Sequence, residues 1–429
     1  MKYLVYISLL IFSVTFFSSC NIDDLPNPNG PSLEGFEGTK SELQTLVTGS
    51  EDLLRQEVGF YYDVVSIIGR DYYFFTGSDP RYTGEVLGKG ISTLDRAGFY
   101  GTRPYYGRYR NIKNLNLLID VAEKSTLISP AETKGYKGFA KTLQAYEYHL
   151  ALNLQYKNGI RIDVKDPKNL GPFVSYENAL IEISKLLDEA NTDLQGATFS
   201  FTLSDAMKDF STAAEFSKFN RALAARISLY QGKNDEALTR LSSSFFDING
   251  DLNKGPARFY SLAGGDFPNN IYRQPDQADA IIVQQDNVIK LEAGDQRATK
   301  FLQRTAPLSL DGLSGTHDAF VYKSFEDFVS LIRNEELILI YAEANITKDA
   351  NEAVKAINII RSKAGLSNYN GGTGSAALLS EISNQRRYSL FGEGHRWVDM
   401  RRWGRLNELP KDRTDDDVWE QLPRPISEN

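Results

Sequence analysis

Three histidines, His149, His317 and His395, and one cysteine, Cys20, are all the chain offers of the residue types that most often ligate metals or attack carbonyls. The histidines lie far apart in sequence, and none has the His-x-x-x-His spacing that puts two imidazoles on one helix face, so a zinc hydrolase finds no support. Gly312-Leu313-Ser314-Gly315 is not a nucleophile elbow. Gly84-Glu85-Val86-Leu87-Gly88-Lys89-Gly90 is one residue short of a phosphate loop and lacks its Ser or Thr. Asp247-Ile248-Asn249-Gly250-Asp251 begins like a calcium loop, but Leu252 stands where the sharp-turn glycine belongs and Arg258 where the bidentate glutamate belongs. The expectation is a chain without catalytic residues and without a cofactor, calcium at this segment being the one open alternative. A carboxylate pair for glycoside hydrolysis would leave no mark in sequence, because its separation is set by the fold. A surface glycoside hydrolase therefore stays as the competing reading.

The cysteine sits at the end of an export signal. Lys2 precedes an apolar run from Tyr3 to Phe17, and Ser18-Ser19 lead straight into Cys20. The run is shorter than the roughly 20 apolar residues a bilayer span takes, and it fits the core of a signal peptide. Small residues before the chain's one cysteine match a bacterial lipobox, with Phe17 departing from the usual Leu. Residues 1–19 are read as a lipoprotein signal peptide and Cys20 as the acylated residue. Residues 20–38, which open on Asn21-Ile22-Asp23-Asp24 and continue through Pro26, Pro28, Gly30 and Pro31, are read as a flexible leash. Acyl chains, not a helix, would then hold the chain to the membrane. With one cysteine no intramolecular disulfide can form.

Beyond the leash, period-3.6 patterns bounded by caps predict a mainly helical fold, a single domain over 39–429. Ser129-Pro130-Ala131-Glu132 is a capping box that opens a helix running to about Tyr156. A second helix is predicted from Ser175 to Gly196, a third from Lys218 to Gln231, and a fourth from Asp235. Ser330–Thr347 and Asn351–Ala364 form another closely spaced pair. Such short breaks make helix hairpins, so the architecture is read as a tetratricopeptide-like scaffold with few short strands, one of them at Ile281-Ile282-Val283. Segments 69–107 and 245–320, rich in Gly, Asp, Asn and aromatic residues, are read as long irregular loop insertions, and loops of that length are usually functional. The net charge of −8 excludes an ordinary nucleic-acid binder.

The stretch Asn384 to Gly404, NQRRYSLFGEGHRWVDMRRWG, resembles the signature of the SusD/RagB family of outer-membrane nutrient-binding lipoproteins. Gln385, Ser389 and Gly392 depart from the family pattern, while Glu393-Gly394-x-Arg396-x-x-Asp399 keeps its core. Tyr341-Ala342-Glu343-Ala344-Asn345, Ala356 to Leu366, Tyr109-x-x-Ile112-x-x-x-Asn116, the Cys20 lipobox and Leu422-Pro423-Arg424-Pro425 are similar to family motifs in the same order. Spacing suggests that Glu393, Arg396 and Asp399 form a local charge network at a helix start. Trp397, Trp403 and Trp419 cluster near the C-terminus and are read as packing residues. Replacing Arg396 or Trp403 is thus expected to cost stability rather than ligand specificity.

The resemblance implies a non-catalytic lipoprotein on the outer membrane, exposed at the cell surface, that captures a glycan or oligosaccharide and delivers it to a SusC-like TonB-dependent transporter. A peptide is the alternative cargo. Recognition of sugars calls for flat rings beside hydrogen-bonding groups. The first long segment offers Asp79, Arg81, Tyr82, Tyr100 and Tyr105 as candidate ligand-binding residues, and the second offers Tyr272, flanked by Phe259, Tyr260 and Arg273. The block Tyr72 to Phe75 is less suited, since four consecutive rings cannot all face water.

Overall fold

In the computed structural model, residues 35–428 are described; the signal peptide, Cys20 and the leash as far as residue 34 lie outside the described residues. The helical domain opens where the sequence places a cap. The Thr39 hydroxyl accepts the Glu42 amide at 3.3 Å while the Glu42 carboxylate accepts the Thr39 amide at 2.9 Å, a reciprocal box that satisfies two end donors of the first helix. That helix, α1, is Lys40–Arg55, and α2 is Val58–Ile68. Strand β1, Tyr72–Phe75, follows, and then α3, Phe99–Lys124, and α4, Pro130–Gln155. The Ser129 box forms as predicted, with Ser129 Oγ accepting the Glu132 amide at 3.3 Å. Strands β2, Ile160–Arg161, and β3, Phe173–Val174, pair antiparallel before α5, Tyr176–Leu194.

Helix α6, Ala213–Tyr230, starts earlier than the predicted Lys218 because the Thr212 hydroxyl accepts the Glu215 amide at 3.2 Å and caps it. A short break leads to α7, Asn234–Ser242. The later pair is α9, Asn334–Ala344, and α10, Ala350–Lys363, followed by α11, Ser375–Ser389, and α12, Arg396–Arg402. Ser330 is not helical; it belongs to β8, Val329–Ser330, which pairs antiparallel with β4, Ala257–Arg258. Consecutive helices pack on one another from α3 to α7 and from α9 to α11, which is the predicted mainly α, helix-hairpin scaffold. Helix α9 is enclosed on every side: Leu337, Ile338, Leu339 and Ile340 are wholly buried, and its Asn334, Glu335, Glu336 and Glu343 are buried with them. Among the described residues no helix is long and apolar enough to cross a membrane.

The two segments read as loops hold more order than their composition suggests. Segment 69–107 contains β1, a 3-10 turn at Pro80–Tyr82 and the first turns of α3. Segment 245–320 contains β4, β5 (Ala280–Val283), a short helix α8 (Gln285–Ile289) and the hairpin β6–β7, Phe301–Leu310 and Leu313–Ala319. Strands β1, β5, β7 and β6 form one antiparallel sheet in that order, with Tyr72 opposite Val283 and Ile282 opposite Asp318. The hairpin turns on Asp311 and Gly312, at φ of 53° and 80°. A two-residue turn with both φ positive matches strand twist and favours Asp-Gly. In the calcium-like segment, the Asp247 and Asp251 carboxylates accept the amides of Asn249 at 3.0 Å and Asn253 at 2.9 Å, closing tight turns.

The charge network at the C-terminal signature corrects the local reading. Asp399 accepts Arg386 Nε at 2.6 Å and Arg402 Nε at 2.9 Å, Glu393 accepts Arg333 Nη2 at 2.8 Å, and Arg396 joins neither carboxylate. These pairs fasten α12 to α11 and the Gly392–Gly394 turn to the start of α9. Side chains three apart on a helix can meet, and Asp399 meets Arg402 in that way, but its other partner is Arg386 of α11 and not Arg396. The three tryptophans serve the same fastening: Trp397 is fully buried and donates to the Trp419 carbonyl at 2.7 Å, Trp419 donates to the Glu85 carbonyl at 2.9 Å, and Trp403 donates to Glu343 at 2.9 Å. Trp403→Ala strips Glu343 of that donor and Arg402 of the ring beneath it, 4.5 Å from its guanidinium. We expect a loss of about 2 kcal/mol in urea unfolding, with ligand affinity unchanged.

Candidate ligand-binding cleft

Four elements converge on one open cleft of about 550 Å³: α2, β1, the 76–83 turn with the head of α3, and the stretch around Asn270 and Arg273. The turn is built locally. Asp79 caps it by accepting the Arg81 amide at 3.1 Å, and the same carboxylate holds the Arg81 side chain through Nε at 2.9 Å and Nη2 at 2.7 Å. The Arg81 hydrogen bonds hold the Asp79 carboxyl below its usual range, so it stays ionised. Tyr82 then points inward, and its ring lies 4.7 Å from Phe74 and 5.2 Å from Phe99. Phe60, on α2, continues the row at 5.5 Å from Phe99. Burial pushes the Tyr82 hydroxyl well above the usual phenol range, so it remains a neutral donor beside Asp63 and Arg273.

Three guanidinium groups rim these rings. Arg81 lies over Phe99 with its central carbon 4.5 Å from the ring centroid, Arg103 over Phe60 at 4.4 Å, and Arg273 over Phe74 at 5.3 Å. Arg103 is also paired through Nε with Glu57 at 2.8 Å. Arg273 differs: its side chain donates to the carbonyls of Asn270 and Tyr272, while its distance to Asp63 is 3.7 Å, beyond hydrogen-bonding range. Burial raises the Asp63 carboxyl to about 6, with Arg273 and the Tyr72 hydroxyl working the other way. The arrangement can bind and orient a polar ligand against aromatic surface; it presents no nucleophile with an adjacent base.

The structure thus brings Asp79, Arg81 and Tyr82 together on one wall and leaves the other three candidates elsewhere. Tyr100 and Tyr105 are not loop residues. Both lie on the inner face of α3 with no exposed surface, Tyr100 donating to the Glu85 carboxylate and Tyr105 packed at 4.8 Å against Tyr109. The expectation of an open loop fails there because the helix begins at Phe99, capped by Gly98 without any side-chain hydrogen bond. Tyr272 neighbours Arg273 but turns its ring edge-on to Phe325 at 4.9 Å, and Tyr260 is buried. Tyr72, Tyr73 and Phe75 are core, as four consecutive rings require, while Phe74 reaches the cleft. Phe60, Asp63 and Arg103 went unread in the sequence. Asp63 carried a signal: it is the one charged residue in an otherwise apolar helix, VGFYYDVVSII.

A somewhat larger cavity, about 620 Å³, lies between the 321–335 segment and α10. Two of its cations are already engaged, while Lys363 stands exposed at its edge. Lys300 donates to the carbonyls of Tyr388 at 2.9 Å and Ser389 at 2.6 Å, satisfying the end of α11, and Arg333 is held by Glu335 and Glu393. The aromatic row belongs to the smaller cleft, which is therefore the stronger candidate for a ligand.

The helix-hairpin scaffold places the chain among tetratricopeptide-like helical proteins. Its sequence then narrows the class: residues 321–423 match the SusD family. Three solved structures share the architecture. A SusD superfamily protein from Bacteroides vulgatus is 16% identical, with a TM-score of 0.69 over 92% of this chain and 97% of that one. Surface glycan-binding protein A from Bacteroides thetaiotaomicron is 14% identical, with a TM-score of 0.70 over 92% and 97%. NanU of B. fragilis is 16% identical, with a TM-score of 0.64 over 90% and 94%. No curated protein matches by sequence. The sequence match to the SusD family is confined to residues 321–423, and the solved SusD-like structures share the fold across most of the chain.

Proposed function

We propose that this chain is a non-catalytic nutrient-binding lipoprotein of the outer-membrane surface, anchored through Cys20 after loss of residues 1–19 and held on the 20–38 leash. It captures a glycan in the Asp79/Arg81/Tyr82 cleft and delivers it to a SusC-like TonB-dependent transporter. The observation that carries this reading is the continuous row Phe74, Tyr82, Phe99 and Phe60 with charged hydrogen-bonding groups along its edge. Rings of this kind take the apolar faces of sugars while the polar rim reads hydroxyls. The fold it shares with a structure described as a surface glycan-binding protein agrees with it.

The test is affinity electrophoresis of residues 21–429 through gels containing single polysaccharides. One glycan should retard the chain, and Tyr82→Ala should weaken the affinity about tenfold when measured below the variant's own melting point, which loss of this buried ring will lower. Retardation that survives Tyr82→Ala and Phe99→Ala would remove the cleft from the reading. Turnover of the glycan would favour a hydrolase, and copurification with a TonB-dependent transporter from native membranes would supply the partner.

A further inference from the structure

We propose that the saccharide taken by this cleft is acidic, its carboxylate or sulfate group being received by Arg273 with Arg103 and Arg81. The proposal rests on the reading of the cleft as a glycan site and adds the ligand's charge.

The argument starts from what the rings have left to offer. Each of Phe99, Phe60 and Phe74 already has a guanidinium plane within 5.3 Å of its centroid, so one face of every one of these rings is covered by a cation. A ligand entering the cleft meets N–H donors along the edge of the aromatic row. A guanidinium has five such donors in a fixed fork. Arg81 spends Nε and Nη2 on Asp79, and Arg103 spends the same two nitrogens on Glu57, which leaves the Nη1 donors of both unengaged by those carboxylates. Arg273 is held only by backbone carbonyls, and its nearest carboxylate stands at 3.7 Å.

The acceptors are scarcer than the donors. Asp79 and Glu57 are committed to their own arginines, and Asp63 is 3% exposed, behind the rim. A neutral sugar supplies hydroxyls that both donate and accept, whereas the charged groups of this rim offer more free donors than free acceptors, Ser78 and Asn270 being the uncharged polar residues beside them. A carboxylate or sulfate oxygen cluster matches it, and the planar fork takes a carboxylate in two parallel hydrogen bonds. The setting makes the pattern specific, because the chain as a whole carries a net charge of −8, and a general attraction for anions is not what places three arginines here.

The experiment titrates the full chain, solubilised from membranes in detergent, with polygalacturonate, alginate, hyaluronan, chondroitin sulfate and heparin, with methyl-esterified polygalacturonate, and with dextran, xylan and mannan as neutral probes. Binding to one of the acidic glycans is expected, and hyaluronan against chondroitin sulfate separates carboxylate from sulfate. For a uronate polymer the esterified form should bind at least tenfold more weakly. Arg273→Ala and Arg103→Ala should each cost about tenfold in affinity and flatten its dependence on salt, with the melting curve unchanged. Arg273→Lys should keep the salt dependence and lose affinity, since it keeps the charge and loses the fork.

Two results would overturn the proposal: no acidic glycan binds, or an acidic glycan binds equally to the wild type and both alanine variants. Neutral binding lost in Tyr82→Ala would overturn the acidic ligand and leave the glycan cleft standing. Binding of no glycan together with binding of poly-glutamate would overturn both and move the cargo to acidic peptides.

Discussion

Glu336→Ala should lower the unfolding free energy by about 3–5 kcal/mol. Glu336 stands in the first turn of α9, and its two carboxylate oxygens accept Arg226 Nε and Nη2 of α6, both at 2.6 Å. The side chains are 2% and 4% exposed. Arg226 also donates to the Leu331 carbonyl at 3.0 Å, and His395 stands 3.7 Å away, so the pair locks together the two halves of the helical scaffold and the turn before α12. Removing the carboxylate alone strands a guanidinium that cannot reach water. Arg226→Met together with Glu336→Leu should recover most of the loss, because packed apolar groups of similar volume cost little in such a place. A double variant as unstable as Glu336→Ala would show that the pair's worth lies in more than avoided desolvation. Arg226 and His395 hold the Glu336 carboxyl down to about 2 against the burial that opposes them. A depressed folded value means that this contribution is present above the unfolded value near 4.5 and is lost as pH falls toward 2.

The signals that sequence reasoning could use were local ones, and its misses follow from that. Capping boxes at Thr39 and Ser129 are written within four consecutive residues, and the Asp311-Gly312 turn, legible in principle, went unread within a segment taken as loop. The Thr212 cap three residues before Glu215 was likewise available, and passing over it placed the start of α6 late. Helix α3 carried no such mark: Gly98 caps it with no side chain and Pro104 lies inside it, so Tyr100 and Tyr105 read as loop rings when they are core. In the cleft, Asp79, Arg81 and Tyr82 were found together because one short turn makes them neighbours. Phe60 and Arg103 come from two helices that meet only in the folded chain, and no spacing announces them. The signature residues show the same limit. Arg396 and Asp399 are three apart and invite a local pair, yet Asp399 goes to Arg386 and Arg402, while Arg396 faces Asp71 across the core.

That last placement yields a pH dependence of the opposite sign to that of Glu336. Asp71 is 1% exposed; its Oδ2 accepts the Gly392 amide at 3.2 Å, and its Oδ1 has no hydrogen-bond partner among the described residues. Burial raises its carboxyl from 3.8 to about 7, and the attraction of Arg396, Arg387 and Lys300 is too weak to bring it back. The folded chain therefore binds this proton more tightly than the unfolded chain does. For a carboxyl with a raised folded value, stability is undiminished below about 4, falls as pH rises, and reaches its full loss above about 7. A shift of about three units corresponds to about 4 kcal/mol. Asp63, raised from 3.8 to about 6, adds to the loss in the lower part of the same window. Urea unfolding should accordingly show the greatest stability near pH 4, between the acid loss governed by Glu336 and the decline toward pH 8. Asp71→Asn keeps an oxygen for the Gly392 amide without the charge, so it should be more stable than the wild type at pH 8, close to it at pH 4, and flatter between. A variant that loses stability at pH 8 would mean that the ionised carboxylate is held by Arg396 as a working ion pair, and that the positive charge gathered behind the signature turn needs it.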